Sequence, residues 1–220
     1  MAPDTTTMTR KQVAAEELVD WVWLVDAIEA RYDTGGFATG LELVNRIGAA
    51  AEEADHHPDL TLTWPLVQAR LVSHDAGGVT SRDIAMARRI SEIAAELGVR
   101  PTPEKLSRVE FGLDTADVPS ALPFWSAVLG YDNDDDIAVV DPDGRQVALW
   151  FQKSDSRDEA RQRFHVDVTV PPDQARARID AALAAGGTFV SDDHAPAFTV
   201  LADPEGNKVC VCTWQGREPE

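Results

Sequence analysis

The sequence predicts an α+β protein built from two domains, and three observations support this prediction. Stretches with apolar residues at helical spacing alternate with short runs that are rich in β-favouring residues. A proline-containing segment at 97–107 interrupts this alternation near the middle of the 220-residue chain. The second half then repeats one pattern of strand, helix and strands. We therefore expect domains at 1–98 and 107–220, joined by a linker at 99–106.

The elements of the first half follow from local patterns. A short helix is expected at 10–20, and the stretch WVWLVDAIEARYD predicts one or two strands. Apolar residues at helical spacing predict a helix from Ala38 to about Ala54. The stretch LTLTWPLVQARLVS indicates two strands with a break near Pro65, because proline cannot donate to a β-ladder.

The last helix of this half has both a start signal and a stop signal. Thr80 and Asp83 have the spacing of a capping box, which predicts a helix from Ser81. Gly98 fits a C-terminal cap, and Pro101 prevents the helix from continuing. The order of helix, strands, helix, strands and helix is typical of a small antiparallel sheet covered by helices.

Charge and composition limit the possible partners. The formal net charge is −18 at pH 7, so the surface repels phosphate backbones and anionic lipids, and we expect no nucleic-acid or membrane partner. The start MAPDTTTMTRKQ lacks the apolar core of a signal peptide, which predicts a cytoplasmic protein. Cys210 and Cys212 suit reduced thiols better than a disulfide framework. A small molecule or another protein is the expected partner.

Three of the five histidines, His56, His57 and His74, lie within nineteen residues. The first two follow a predicted helix and the third follows a predicted strand, and such ends can converge on one pocket. Imidazole can give or take a proton at neutral pH, so the cluster indicates a possible acid/base pocket. Two alternatives remain open: single histidines are more often structural, and three imidazoles could bind zinc.

The histidine segments resemble those of a known family, the pterin-4a-carbinolamine dehydratases. The resemblance covers about residues 10–98 and rests on these residues: Asp55-His56-His57-Pro58, Trp64, Ser73-His74-Asp75, Gly77-Gly78-Val79-Thr80 and Asp83. It implies a four-stranded antiparallel sheet with helices on one face. It also implies the hydro-lyase activity of a 4a-hydroxytetrahydrobiopterin dehydratase, which removes water from a pterin carbinolamine and serves pterin recycling. This chemistry needs no metal or organic cofactor.

The resemblance also implies site residues. The catalytic set is His56, His57 and His74, with His57 and His74 as the acid/base pair and His56 sharing the work or serving the opposite face of the pterin. The expected substrate-binding residues are Asp55, Pro58, Trp64, Ser73, Asp75 and Asp83. Asp75 and Asp83 could raise imidazole basicity or orient the rings.

The resemblance leaves two matters open. The second position after Pro58 is often aromatic in this family but is Leu60 here. The resemblance therefore does not say which pterin side chain the protein prefers. We expect a homo-oligomer. Since the family includes a dimerisation cofactor for a transcription factor, a non-catalytic dimerisation or regulatory protein is the alternative.

The second half carries an internal repeat. The stretches VEFGLDTADVPSALPFWSAVLGY and FHVDVTVPPDQARARIDAALAAGG each predict a strand followed by a helix and a glycine stop. Turns at 141–144 and 203–206 occupy matching places. Over about residues 107–215 this pattern resembles the glyoxalase and bleomycin-resistance domains, also called the vicinal-oxygen-chelate fold. The resemblance implies paired βαβββ modules that form a cupped sheet.

Metal-dependent members of that second family bind the ion through four positions, which here hold Glu110, Ala148, His165 and Cys210. Ala148 offers no donor atom, so we expect no tightly bound catalytic metal, and the candidates that remain are Glu110, His165 and Cys210. Without a bound metal, His165 would hydrogen-bond Glu110. We expect this domain to bind a second, unidentified small molecule, and a metal-dependent lyase or dioxygenase centred on it is a further alternative.

Overall fold

The computed structural model describes residues 5–129, 131–154, 164–184, 186–202 and 208–217. The chain divides after Leu106 into two compact units, unit 1 before the division and unit 2 at Ser107–Arg217. Both units combine helices with a β-sheet, so the predicted α+β class is confirmed. None of the described helices has the length and apolar character that crossing a bilayer requires.

Unit 1 contains three helices and a mainly four-stranded antiparallel sheet. Its elements are α1 (Arg10–Ala15), β1 (Trp21–Leu24), β2 (Ala27–Asp33), α2 (Phe37–Ala54), β3 (Asp59–Thr63), β4 (Leu66–Leu71), α3 (Ser81–Glu96) and β5 (Arg100–Pro101). The strand order is β1-β2-β4-β3, and the two-residue β5 also pairs with β2. The structure therefore has the four expected strands and adds a short fifth.

The core of unit 1 lies between the sheet and helices α2 and α3. Ile28, Ala30 and Tyr32 of β2 belong to this core and share one face of the strand, because strand side chains alternate between opposite faces. Leu43 and Ile47 of α2, one helical turn apart, and Ile90 of α3 are fully buried against them. Burying each such side chain contributes roughly 1.5–3 kcal/mol, so these positions hold the helices on the sheet.

The residues predicted as a linker, 99–106, lie against unit 1. β5 pairs with the end of β2, and the backbone N–H of Thr102 donates to the carbonyl of Arg31 at 2.7 Å. Val99 and Leu106 are buried. The division after Leu106 agrees with these contacts, and Val99 belongs to the apolar core of unit 1.

Unit 2 contains two βαβββ modules, as the resemblance implied. The first module is β6 (Arg108–Thr115), α4 (Val118–Leu129), β7 (Asp132–Asp135), β8 (Ala138–Val140) and β9 (Leu149–Lys153), and the second is β10 (Phe164–Thr169), α5 (Pro172–Ala184), β11 (Thr188–Ser191), β12 (Phe198–Ala202) and β13 (Lys208–Cys212). Together they form one sheet in the order β11-β12-β13-β10-β6-β9-β8-β7. The predicted turn at 141–144 has Gly144 at φ 65°, whereas the turn predicted at 203–206 lies outside the described residues.

The first strands of the two modules meet at the centre of this sheet. β6 and β10 pair antiparallel, and each pairs in parallel with the last strand of its own module, β9 or β13. Leu113 and Val168 face α4 and α5, respectively, and pack there in apolar clusters. Because side chains alternate, the opposite face of the central strands is polar; we call it the polar face, and it carries Glu110, Asp114, His165, Asp167 and Cys210.

Candidate functional site

The first candidate site is built around Asp83, in the first turn of α3. Its side chain is fully buried, and Oδ2 accepts hydrogen bonds from the Ser73 hydroxyl and the Thr80 backbone N–H, each at 2.7 Å. Oδ1 lies 2.8 Å from Nε2 of His56. One carboxylate therefore joins the start of α3, the segment after α2 and the segment after β4.

The end of α2 places His56 for this contact. Asp55 adopts a left-handed conformation (φ 48°, ψ 41°), which aspartate tolerates better than most residues. The backbone N–H of Asp55 donates to the carbonyl of Glu52, and that of His56 donates to the carbonyl of Ala51. These two bonds form a Schellman motif, which fixes the exit of the chain from the helix. The His56 side chain consequently turns inward and is buried.

The contact with Asp83 also sets the proton position on His56. An ionised carboxylate can only accept hydrogen bonds, so Nε2 of His56 is the donor. In the neutral ring, Nδ1 is then the nitrogen with the free lone pair. Asp83 therefore fixes both the orientation of the ring and the nitrogen that can exchange a proton.

His57 and His74 are exposed, in contrast to His56. The His57 side chain is 55% exposed, and its Nε2 lies 3.0 Å from a carboxylate oxygen of Glu52. His74 opens a 3₁₀ turn at His74–Ala76, which Gly77 ends in a left-handed conformation at φ 67°. Both rings can therefore be reached by a small molecule in solution.

An ion pair connects the His74 turn to α3. Asp75 accepts a hydrogen bond from Arg82 at 2.7 Å, and this bond holds the pKa of Asp75 below its usual value. A protonated His56 lowers the pKa of Asp75 further, so His56 and the turn that carries His74 are electrostatic neighbours. The two histidine segments therefore converge at the start of α3.

The structure brings together four of the residues predicted for this site. His56, Ser73, Asp75 and Asp83 meet at the start of α3, with Asp55, His57, Pro58 and His74 beside them in sequence. Trp64, which was also predicted for this site, lies away from these residues. It is 71% exposed in the turn after β3, and a strand of five residues spans roughly 16 Å, so Trp64 lies at the far end of β3 from Pro58.

Three residues at this site were not predicted to act there. Thr80 was identified only as a helix cap, yet its hydroxyl also lies 2.8 Å from that of Ser73. Arg82 holds Asp75, and Glu52 holds His57. All three residues could have been identified from the sequence, since each is a polar residue within about two helical turns of a predicted site residue.

A groove of about 420 Å³ between α2 and α3 borders the site. Small side chains, Ala50, Ala54 and Ala85, leave the space, and His56, Arg82 and Arg89 contribute polar groups. This volume is within the usual range of roughly 300–1,000 Å³ for small-molecule pockets. His56 is the member of the histidine trio that lines the groove.

The second candidate site lies on the polar face of unit 2. Nδ1 of His165 is 3.3 Å from Oδ1 of Asp167, two residues along β10. Asp167 stands directly opposite Glu110 on β6 and pairs with Cys210 on β13. The potential ligand atoms of His165, Asp167 and Cys210 all lie within 4.8 Å of one another.

The His165 ring lies over Gly112, its partner residue on β6. A Cβ atom at Gly112 would clash with Nε2 of His165, so this position has room for glycine alone while the ring stays in place. The edge of the ring meets Trp150 at a centroid distance of 4.7 Å. Nε2 also lies 3.8 Å from a carboxylate oxygen of Asp114. Strand pairing and an aromatic contact therefore hold the ring over the polar face.

Neighbouring groups shift the pKa values at this second site. The hydrogen bond to Asp167, and then the charges of Asp167 and Asp114, raise the pKa of His165. Burial raises the pKa of Cys210 and of Cys212 to about 12. Both thiols are therefore protonated and unreactive at neutral pH when no cation is bound.

The expected hydrogen bond between His165 and Glu110 is wrong, because the pairing register places Glu110 opposite Asp167 and Gly112 opposite His165. Asp167 takes the role that Glu110 was expected to have. The signal for Asp167 was its spacing of two residues from His165, which puts both side chains on one face of a strand.

Comparisons with known proteins match the two units separately. The family model described as pterin 4 alpha carbinolamine dehydratase matches residues 4–93, and the model described as a glyoxalase-like domain matches residues 110–212. Among curated proteins, a provisionally named pterin-4-alpha-carbinolamine dehydratase of Thermomicrobium roseum is 41% identical over 36% of this chain and 86% of its own length.

Two further proteins show similarity to the first unit. A protein of Koribacter versatilis with the same provisional name is 44% identical over 37% of this chain and 87% of its own length. Among solved structures, a transcriptional coactivator/pterin dehydratase from Brucella melitensis is 28% identical, with a TM-score of 0.38, over 40% of this chain and 99% of its own.

Proposed function

Because the chain belongs to the pterin-4a-carbinolamine dehydratase family, we propose that unit 1 removes water from 4a-hydroxytetrahydropterins. The observation that supports this best is the buried hydrogen-bond network of Asp83, which joins His56 to Ser73, the neighbour of His74. This network ties two segments that are distant in sequence and together carry all three histidines.

The proposed reaction requires two proton transfers. The bond between C4a and its hydroxyl oxygen breaks, the oxygen receives a proton, and it leaves as water. A base removes the proton from the neighbouring N5, and a C4a–N5 double bond forms, which gives the quinonoid dihydropterin. Positioned acids and bases typically accelerate such steps by about 10²–10⁴-fold.

We assign the acid/base pair to His57 and His74, whose rings are both exposed. Glu52 accepts a hydrogen bond at Nε2 of His57, so Nδ1 of that ring faces away from the carboxylate. His56 is the third ring, held by Asp83 with Nδ1 available on its other side. The pterin would then lie against the converging segments 55–58 and 73–76.

The test is a rapid-mixing assay of quinonoid pterin formation with the full chain in chelator-treated buffer. We expect His57→Ala and His74→Ala each to lower kcat by about 10²-fold or more. His194→Ala, which changes an exposed histidine of unit 2, serves as the matched control and should leave kcat unchanged. The fold reduction in kcat of the double variant should be smaller than the product of the two single reductions, because the two rings serve one reaction.

A rate equal to the uncatalysed reaction for the folded wild-type chain would contradict the proposal. The same result with a stable oligomer would favour the alternative of a non-catalytic dimerisation protein. Equal rates for the wild type and both histidine variants would instead show that the trio does not carry the chemistry.

A further inference from the structure

The N-terminal segment pairs with the residues that lead into α3. Thr7 and Thr80 form an isolated antiparallel bridge, and the backbone N–H of Met8 donates to the carbonyl of Val79 at 2.7 Å. The Met8 side chain also packs against the apolar core of unit 1. Two residues near the beginning of the chain are therefore fixed beside the start of α3, where the first candidate site lies.

The loop that carries His74 is closed at its base by a second bridge. We call residues 73–78 the His74 loop. The backbone N–H of Ser73 donates to the carbonyl of Gly78 at 3.1 Å, and that of Gly78 donates to the carbonyl of Ser73 at 3.4 Å. Ser73 is buried, whereas the following residues, from His74 to Gly77, are exposed or half-buried. The loop therefore takes its position chiefly from its base, because exposed residues have few packing contacts to hold them.

Thr7 lies against this base. A Cβ atom at Gly78 would be 3.2 Å from Cγ2 of Thr7, which is closer than about 3.5–4.0 Å, the usual separation of carbon atoms in contact. Gly78 does not have the left-handed conformation that Gly77 has, so its backbone does not require glycine. The methyl group of Thr7 is therefore the reason for a small residue at this position.

The base of the loop is also bonded to the buried network of Asp83. The Ser73 hydroxyl donates to Asp83 and lies 2.8 Å from the hydroxyl of Thr80, the residue with which Thr7 pairs. Consecutive contacts consequently join the N-terminal segment, the base of the His74 loop and the carboxylate that holds His56.

We propose that Thr7 and Met8 are positioning residues for the reaction of unit 1: they hold the base of the His74 loop and, through it, the His74 ring. This inference rests on the proposed dehydratase function. Thr7 and Met8 act in this role without touching the substrate, because they hold the chain at Gly78 and Val79. The effect on rate is large for a small movement, since displacing a catalytic group by about 1 Å can cost roughly 10²-fold.

A pair of substitutions tests the contact between Thr7 and Gly78. Gly78→Ala adds a methyl group that the contact accommodates only by a shift of a few tenths of an ångström. We expect kcat to fall by roughly 3–10-fold, less than for a shift of about 1 Å, with little change in KM. The reduction should largely disappear when Gly78→Ala is made in a Thr7→Ala chain, because the new methyl group then lies 3.6 Å from the Cβ of residue 7, an ordinary contact.

A second pair of variants tests the hydrogen bond of Met8. Met8→Pro removes the N–H that donates to Val79, whereas Met8→Ala loses the same side chain and keeps the N–H. We expect the amide hydrogen of Gly78 to exchange with solvent roughly 3–10-fold faster in Met8→Pro than in Met8→Ala, the factor that corresponds to one hydrogen bond. The amide of Ile90, in the middle of α3, should exchange at the same rate in both variants. The kcat of Met8→Pro should be the lower of the two.

Circular dichroism establishes that each variant is folded. A folded wild-type chain without dehydratase activity would contradict the proposed function, and faster exchange confined to Gly78 would then still support the hold of the N-terminal segment on the loop. In an active chain, wild-type kcat in Gly78→Ala would overturn the positioning role, as would an equal loss in the Thr7→Ala chain. Equal acceleration of exchange at Gly78 and Ile90 would also overturn it, because it indicates a general loss of stability.

Discussion

Asp55 combines two roles that a substitution can separate: it ends α2 in a left-handed conformation, and the family resemblance implies that it binds substrate. We predict that Asp55→Gly keeps the free energy of unfolding or raises it by up to ~1 kcal/mol, because glycine adopts this conformation without strain. Asp55→Val should lower it by about 1–3 kcal/mol, since a β-branched residue is strained there. Urea unfolding measures both changes.

Activity of the Asp55→Gly variant then decides between the two roles. If kcat/KM stays at the wild-type value, the backbone conformation is what the site needs from this position. If kcat/KM falls while stability is kept, the carboxylate contacts the substrate. A glycine variant less stable than the wild type would contradict the structural role.

At the scale of elements, the start of α3 is also the junction of the candidate active site. We predict that Asp83→Asn lowers the free energy of unfolding by about 1–3 kcal/mol, because the new amide donor faces groups that themselves donate to Asp83, namely Ser73 and Thr80. It should also lower kcat, since the His56 ring loses the carboxylate that fixes its proton on Nε2. Asp75→Asn, at an exposed position, is the matched control and should leave stability near the wild-type value.

The ¹⁵N chemical shifts of the His56 ring test this positioning role directly, because they report which nitrogen carries the proton. We expect the proton on Nε2 in the wild type and a mixture of tautomers in Asp83→Asn. Unchanged shifts together with a reduced kcat would show that Asp83 acts on the site by another route.

The elements that the sequence predicted well have local signals. Helix α3 has its capping box at Thr80 and Asp83, and α2 has apolar residues at helical spacing, so neither depends on a distant part of the chain. The position of Asp167 beside Cys210 could not be predicted, because it depends on the register between two strands separated by about forty residues. The pairing of β5 with β2 was missed for the same reason, since the prolines that indicated a linker also permit a short edge strand.

At the scale of the whole molecule, the boundary between the units predicts which fragment folds alone. We expect residues 1–106 to fold and to retain dehydratase activity, because unit 1 has its own core. A fragment of residues 1–98 should be less stable by about 2–4 kcal/mol, since it loses the buried side chains of Val99 and Leu106. Thermal unfolding followed by circular dichroism compares the two fragments, and equal stability would show that the segment 99–106 contributes nothing.

The parallel pairings of unit 2 have a consequence for the order in which the molecule folds. In unit 1, β1 pairs with β2 and β3 pairs with β4, so both hairpins join strands that are consecutive in the chain. In unit 2, β6 pairs with β9 and β10 pairs with β13, and a helix and two strands lie between the partners in each case. Closing such long loops costs entropy before any contact is gained, so unit 2 should fold more slowly than unit 1. On a translating ribosome, the histidine trio can be assembled early. Cys210 can join His165 and Asp167 only after β13 has been synthesised and has left the exit tunnel.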